Sequence, residues 1–237
     1  MTNARILALA LLAVGTAACG ADPSAASPRI LTTVELSVAD EPAEVAQYTH
    51  ATVIALDQYG DPIDTGPATF ASGDRRIAAV SPTTGLILGV SPGTTEITAS
   101  TAGMTAHRTL TVFVPAIRIN EVEPDGDAAG GWVELYNPTD ADFDLSAWSL
   151  AHNPFAKAFL PLGTTIPAHG YLVVDESRIL GGLAHADGVR LFSRFGVEVD
   201  VFFWQRDATT SYGRCPDGTG DLIETAVPTR GAANSCR

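Results

Sequence analysis

The sequence predicts an all-β chain made of two β-sandwiches in series. Apolar residues recur in short runs that alternate with polar ones, and Asn, Pro, Asp and Gly close each run, as tight turns between short strands require. In the second half no segment carries a long period of 3.6, and Pro138, Pro154, Pro161, Pro167, Pro216 and Pro228 recur too often for helices of ordinary length. The length agrees, since 237 residues less a leader and a spacer leave domains of about 85 and 120 residues, each able to form its own core.

The leader comes first. Met1-Thr-Asn-Ala-Arg5 is a short positive region, Ile6 to Val14 is an apolar run too short to span a bilayer, and Gly15-Thr-Ala-Ala precedes Cys19. A Cys directly after such small residues resembles a bacterial lipobox. The resemblance implies a cleaved signal peptide over 1–18, lipid on the Cys19 side chain and attachment to a membrane, with plain secretion as the alternative. Either way the chain leaves the cytoplasm. Gly20 is not Asp, and by resemblance to sorting rules in two-membrane bacteria this favours the outer membrane. Residues 19–29, with Gly20-Ala-Asp-Pro-Ser-Ala-Ala-Ser-Pro28, are small, polar and Pro-punctuated, which suits a flexible spacer after the anchor.

Residues 30–114 carry the first strand pattern. Val34, Leu36 and Val38 alternate with polar residues, as do Ile97 and Ala99, then Leu110, Val112 and Val114. Gly85 and Gly93 stand where turns need positive φ. Thr84-Gly-Leu-Ile-Leu-Gly-Val-Ser-Pro-Gly-Thr-Thr-Glu-Ile-Thr-Ala99, with Ala55-Leu-Asp57 leading into Gly60 and Ile77-Ala-Ala-Val80, resembles the bacterial immunoglobulin-like family of group 2. Phe70 stands where that family usually shows Trp. Val114-Pro115-Ala116 is the joint, and so short a link with a proline restricts the angle between the domains.

Residues 116–237 hold five words in a fixed order. They are Arg118-Ile-Asn-Glu-Val-Glu-Pro124, Gly131-Trp-Val-Glu-Leu-Tyr-Asn-Pro138, Asp144-Leu-Ser-Ala-Trp-Ser-Leu150, Ile166-Pro-Ala-His-Gly-Tyr-Leu-Val-Val174 and Pro228-Thr-Arg-Gly-Ala-Ala-Asn234. Together they resemble the lamin tail domain, which implies an immunoglobulin-like β-sandwich used as a binding and structural module. Ala147 stands where that family usually has Gly. Trp132 and Trp148 are expected in the core of the two sheets, because a buried aromatic removes a large apolar area from water. A stacking platform for sugar or base is the competing use.

With Cys19 given to lipid, Cys215 and Cys236 remain as an isolated pair in a chain bound for an oxidising compartment, and a disulfide is expected between them. Such a bridge adds roughly 3 kcal/mol on the loop-entropy model and pins the C-terminus. A metal site would need further Cys or nearby His to complete a tetrahedral shell.

Net charge is −13, and loss of the leader with Arg5 takes it to −14. Scattered Arg residues on so acidic a chain argue against nucleic-acid binding, which draws on cationic contacts with phosphate. Glu121, Glu123, Asp125 and Asp127 crowd one loop and are the candidate calcium ligands, oxygen donors of the kind that hard cation uses, although the spacing is not that of an EF-hand. Asp140, Asp142 and Asp144 would share one face of an extended strand. Solvated surface acids are the plainer reading of both groups.

Hydrolase signatures such as Gly-x-Ser-x-Gly and His-Glu-x-x-His are absent, and His50, His107, His152, His169 and His185 lie in separate segments. Only His152 and His185 could meet a Ser and an Asp across loops. The chain is therefore expected to be no enzyme. It reads as a lipid-anchored cell-envelope protein whose immunoglobulin-like stalk displays the lamin-tail-like domain for adhesion, scaffolding or binding of an envelope protein or polysaccharide. The alternative is an accessory carbohydrate-binding module of an extracellular hydrolase system, for which Tyr136, Trp204 and Tyr212 would have to line one exposed face.

Overall fold

The computed structural model describes residues 27–124, 130–152, 156–183, 187–206 and 208–236. The leader, with Cys19, lies outside the described residues. Among those described there are strands and one 3-10 turn at Glu176–Arg178, and no helix is long and apolar enough to cross a membrane.

The first half runs through β1 (Leu31–Val38), β2 (Ala43–Glu44), β3 (Tyr48–Asp57), β4 (Thr69–Ser72), β5 (Ala78–Val80), β6 (Leu86–Gly89), β7 (Gly93–Thr101) and β8 (Met104–Phe113). They form two four-stranded sheets, ordered β1-β3-β6-β5 and β2-β8-β7-β4. The pairing is antiparallel except for β2 on β8. Alternation does the work anticipated for it. Ile97, Ala99, Leu110 and Val112 point inward with Ile87, and Leu36, Val38 and Phe70 pack against them. Gly85 has φ +70, and a Cβ there would meet the Ala51 carbonyl at 2.6 Å, so the turn admits only glycine. Gly93 also has positive φ. Contacts begin slightly before Ile30, since Arg29 Nε donates to Asp57 at 2.5 Å.

The second half runs through β9 (Arg118–Glu123), β10 (Trp132–Tyr136), β11 (Phe143–Asp144), β12 (Ser149–Ala151), β13 (Ala158–Phe159) and β14 (Thr165–Ile166). It continues with β15 (Tyr171–Asp175), β16 (Gly188–Phe192), β17 (Glu198–Phe203), β18 (Tyr212–Cys215) and β19 (Asp221–Glu224). A five-stranded sheet, β15-β10-β9-β18-β19, faces a four-stranded one, β13-β12-β16-β17, and β11-β14 forms a small ribbon. Between them lies an apolar core that includes Ile119, Val133, Leu135, Trp148, Leu150 and Leu191. Trp148 is fully buried there and meets Phe143 edge-on, ring centroids 5.5 Å apart. Trp132 is buried as well, though outside that contact cluster, with the Arg230 guanidinium 5.9 Å from its ring centroid.

One irregularity in β9 decides what the five-stranded sheet can bury. Glu134 lies opposite Glu121 but Leu135 opposite Ile119, so Asn120 is an extra residue, a β-bulge. Without the bulge, Ile119 and Val122, three apart, would point to opposite faces. With it, both join the apolar core. The backbone groups freed from the ladder find other partners: Ile119 N donates to Asp200 Oδ2 at 2.9 Å, and Arg214 Nε donates to the Ile119 carbonyl at 2.8 Å.

The run Asp140, Asp142 and Asp144 departs from its expectation. Only Asp144 lies in a strand, and the three carboxylates are used separately: Asp140 with His169, Asp142 on the Ala168 amide, Asp144 on the Ser146 amide and Arg194. The turn that follows explains the glycine of the lamin tail pattern. Ala147 has φ +61, the left-handed region where an L-residue with a Cβ is strained by about 1 kcal/mol. Replacing Ala147 by Gly is accordingly expected to raise stability by about 1 kcal/mol in denaturant unfolding; an unchanged or lowered midpoint would show that the turn stores no such strain.

Candidate functional site

Four of the five sequence words meet on the outer face of the five-stranded sheet. On β9 the bulge turns Asn120 and Glu121 away from the apolar core, and on β10 Glu134 points the same way between Val133 and Leu135. All three side chains are fully buried. What buries them is the C-terminal segment after β19, which crosses this face as a strap. Gly213 on β18, paired with Glu121, makes room for it, since a Cβ there would lie 2.8 Å from Asn234 Nδ2.

The strap and its neighbours supply the donors that the carboxylates need. Thr229 donates to Glu121 through its amide at 3.2 Å and its hydroxyl at 2.8 Å, and the Ser211 hydroxyl also donates to Glu121. The Gly231 amide donates to Glu134 Oε2 at 2.5 Å and Asn120 Nδ2 to Glu134 Oε1 at 3.1 Å. Asn234 is the hub: its side chain donates to the carbonyls of Asn120 at 3.0 Å and Arg214 at 2.9 Å, while its amide donates to Asp217 Oδ1 at 3.1 Å. Asp217 further accepts from the Tyr171 hydroxyl of the fourth word at 2.7 Å. Cys236 then closes the strap onto β18 through its bond to Cys215, with Cα atoms 5.8 Å apart.

Burial dominates the electrostatics. It pushes Glu134 up to about 7, against the hydrogen bonds from Asn120 and Gly231. Burial likewise raises Glu121, opposed by Ser211 and Thr229. Tyr171 is raised by burial and by donating to Asp217. The cluster therefore holds its protons more tightly than surface acids do, as buried carboxyls should.

Of the four calcium candidates, Glu121 is drawn into this cluster with its oxygens engaged and is no surface acid; Glu123 ends β9, and Asp125 and Asp127 lie outside the described residues. Among the described residues no group of three or more His, Cys, Asp or Glu is placed to hold a metal ion. His152 Nδ1 lies 3.5 Å from Asp187, and a Cβ at Gly181 would come within 2.5 Å of its Nε2. His185 lies outside the described residues. The aromatic trio does not form an exposed row. Trp204 is 3% exposed, Tyr136 packs at a tilt against Tyr171 at 5.0 Å, and Tyr212 packs on Phe202 at 5.4 Å.

Sequence alternation alone could not place Glu121 and Glu134 inside, because it assigns them to the outer face without saying that a strap covers it. The one available signal was that the closing Thr, Gly and Asn belong to the same set of words as Asn120, Glu121 and Glu134.

Glu134 makes the cluster sensitive to pH. Its proton is held up to about 7 in the folded chain against 4.5 in the unfolded one, so its contribution is full below about pH 4.5 and is lost as pH rises through 7. The shift corresponds to about 3 kcal/mol. Glu134→Gln removes this titration, and the stability of the natural chain relative to the variant is expected to fall by that order between pH 4.5 and 8 in chemical denaturation. A gap that stays constant with pH would show that Glu134 titrates as an ordinary surface acid.

No curated protein sequence matches the chain. Among solved structures, domains 4 and 5 of the S-layer protein SbsC share 24% identity over 36% of this chain, which spans about half of that one (53%), with a TM-score of 0.29. Domains 5-6 of SbsC share 16% over 77% of this chain and 100% of that one, TM-score 0.31. The Yersinia pseudotuberculosis adhesin InvE shares 13% over 83% of this chain and 65% of that one, TM-score 0.28. No functional reading rests on likenesses of this size. The family model described as Lamin Tail Domain matches residues 114–206, the part of the chain that supplies β9 to β17 and the buried Asn120, Glu121 and Glu134.

Proposed function

We propose that this chain is a lipid-anchored cell-envelope protein that works by contact, its first sandwich a stalk and its lamin-tail-like sandwich the displayed head. The anchor is Cys19, with 1–18 removed, 19–29 as spacer, 30–114 as stalk and 116–237 as head. The outer membrane is the favoured site, and the partner is an envelope protein or a polysaccharide.

The observation that carries the noncatalytic part of this reading is the use to which the polar residues of the recurrent words are put. Asn120, Glu121, Glu134, Thr229 and Asn234 bind one another and the strap, so they act as fasteners. Asn137 does the same for the next loop, donating to the carbonyls of Ala141 at 2.8 Å and Pro167 at 3.0 Å. A catalytic acid or base would need a free atom within reach of a substrate. Anchoring is supported by the order of segments in the sequence: positive residues, apolar run, small residues, Cys19, polar spacer. The carbohydrate-module alternative is disfavoured by the burial of Trp204, since a stacking platform must be open to its ligand.

The anchor is the part that separates this reading from its rivals. Detergent phase partition of the exported protein should place the natural chain in the detergent phase and the Cys19→Ser variant in the aqueous phase, because the thioether to lipid can no longer form. Equal partition of the two would overturn the lipoprotein assignment.

A further inference from the structure

We infer that Arg194 is the positioning residue of the joint between the two sandwiches, clasping Asp144 of the second and Glu44 of the first so that both halves hold one mutual angle. Arg194 lies in the turn between β16 and β17. Within its own half it is tied twice to β11: Nη2 donates to the Asp144 carbonyl at 2.9 Å, and Nη1 lies 3.3 Å from Asp144 Oδ2. Its Nε faces the first sandwich, 3.9 Å from Glu44 Oε1.

Glu44 is the less usual partner. Its side chain is 10% exposed, and its Oε2 has no hydrogen-bond partner among the described residues. The backbone holds it there rigidly. Glu44 lies in β2, paired in parallel with β8, and its amide donates to the Gln47 side chain at 2.8 Å. Gly89 leaves the space its carbonyl occupies, because a Cβ there would come within 2.5 Å of it. A buried carboxylate without donors does nothing for its own half, since burial disfavours its charge. A guanidinium from the other half compensates it, and burial accordingly raises Glu44 while Arg194 lowers it and Asp144 raises it.

Arg suits this place better than Lys, because its fixed fork serves a carbonyl and two carboxylates from one plane. The covalent link runs close by. Glu44 is paired with Phe113, the last residue before Val114-Pro115-Ala116, and Pro115 is itself buried. Chain and charge thus restrain the same hinge from two sides.

Residual dipolar couplings on residues 20–237 test the joint. In the natural sequence a single alignment tensor should fit amides of both halves. Arg194→Ala should lose the common tensor, each half then fitting only its own, while amide shifts away from the joint stay put. Glu44→Ala, made in the other half, should give the same loss and keeps the test decisive if the Arg194 variant folds poorly. Arg194→Lys should restore the common tensor in part, and Arg76→Ala, whose partner Asp74 lies in its own half, should leave it intact. A single tensor that survives both alanine variants, or two tensors in the natural chain, would overturn the proposal.

Discussion

The burial of two carboxylates, Glu121 and Glu134, under the C-terminal strap is the constraint on which the rest of the second sandwich depends. A carboxylate removed from water is costly unless donors replace the water. Here the replacements come from far along the chain: Ser211 and Thr229 for Glu121, Gly231 for Glu134. The strap thus supplies both the cover and, through Thr229 and Gly231, part of the donors, while Ser211 and Asn120 supply the rest. The bulge at Asn120 aims the side chains, Gly213 admits the strap, and the Cys215 to Cys236 bond keeps its end from diffusing away. Each of these features has little purpose without the others.

Much of the fold was legible because it is local. Alternation placed Val34, Leu36 and Val38, then Ile97, Ala99, Leu110 and Val112, on the inward side of the first sandwich. Turn chemistry explained Gly85 and Gly93. Trp148 went to the core of the second sandwich, as a large apolar side chain should. What alternation could not deliver was a change of phase. The extra residue at Asn120 shifts every side chain on one side of it, which is why Val122 joins Ile119 inside. Nor could it distinguish an open outer face from a covered one, so Glu121 looked like a surface acid. Asn234 reaches back 114 residues to the Asn120 carbonyl, and no local pattern encodes such a contact. Asp140, Asp142 and Asp144 failed as a strand face because the chain bends at Asp140 and Ala141, letting each find a separate partner.

The same arrangement shapes the functional reading. In the lamin-tail-like words Asn120, Glu121, Glu134 and Asn137 are drawn inward. A strap that fastens through hydrogen bonds and a covalent bond covers the first three. At Arg194 a buried acid of one half likewise faces a base of the other. In both places an interior carboxylate couples segments that the sequence keeps apart. One closes the sandwich on itself, and the other joins it to its neighbour.

Amide hydrogen exchange under native conditions tests the dependence on the strap most directly. The amides of Thr229, Gly231 and Asn234 donate into the buried cluster, so they should exchange only through the opening that releases β9 and β10, with comparable protection. Rapid exchange at those three amides, with β9 and β10 still strongly protected, would contradict the view that the strap is part of the cooperative core.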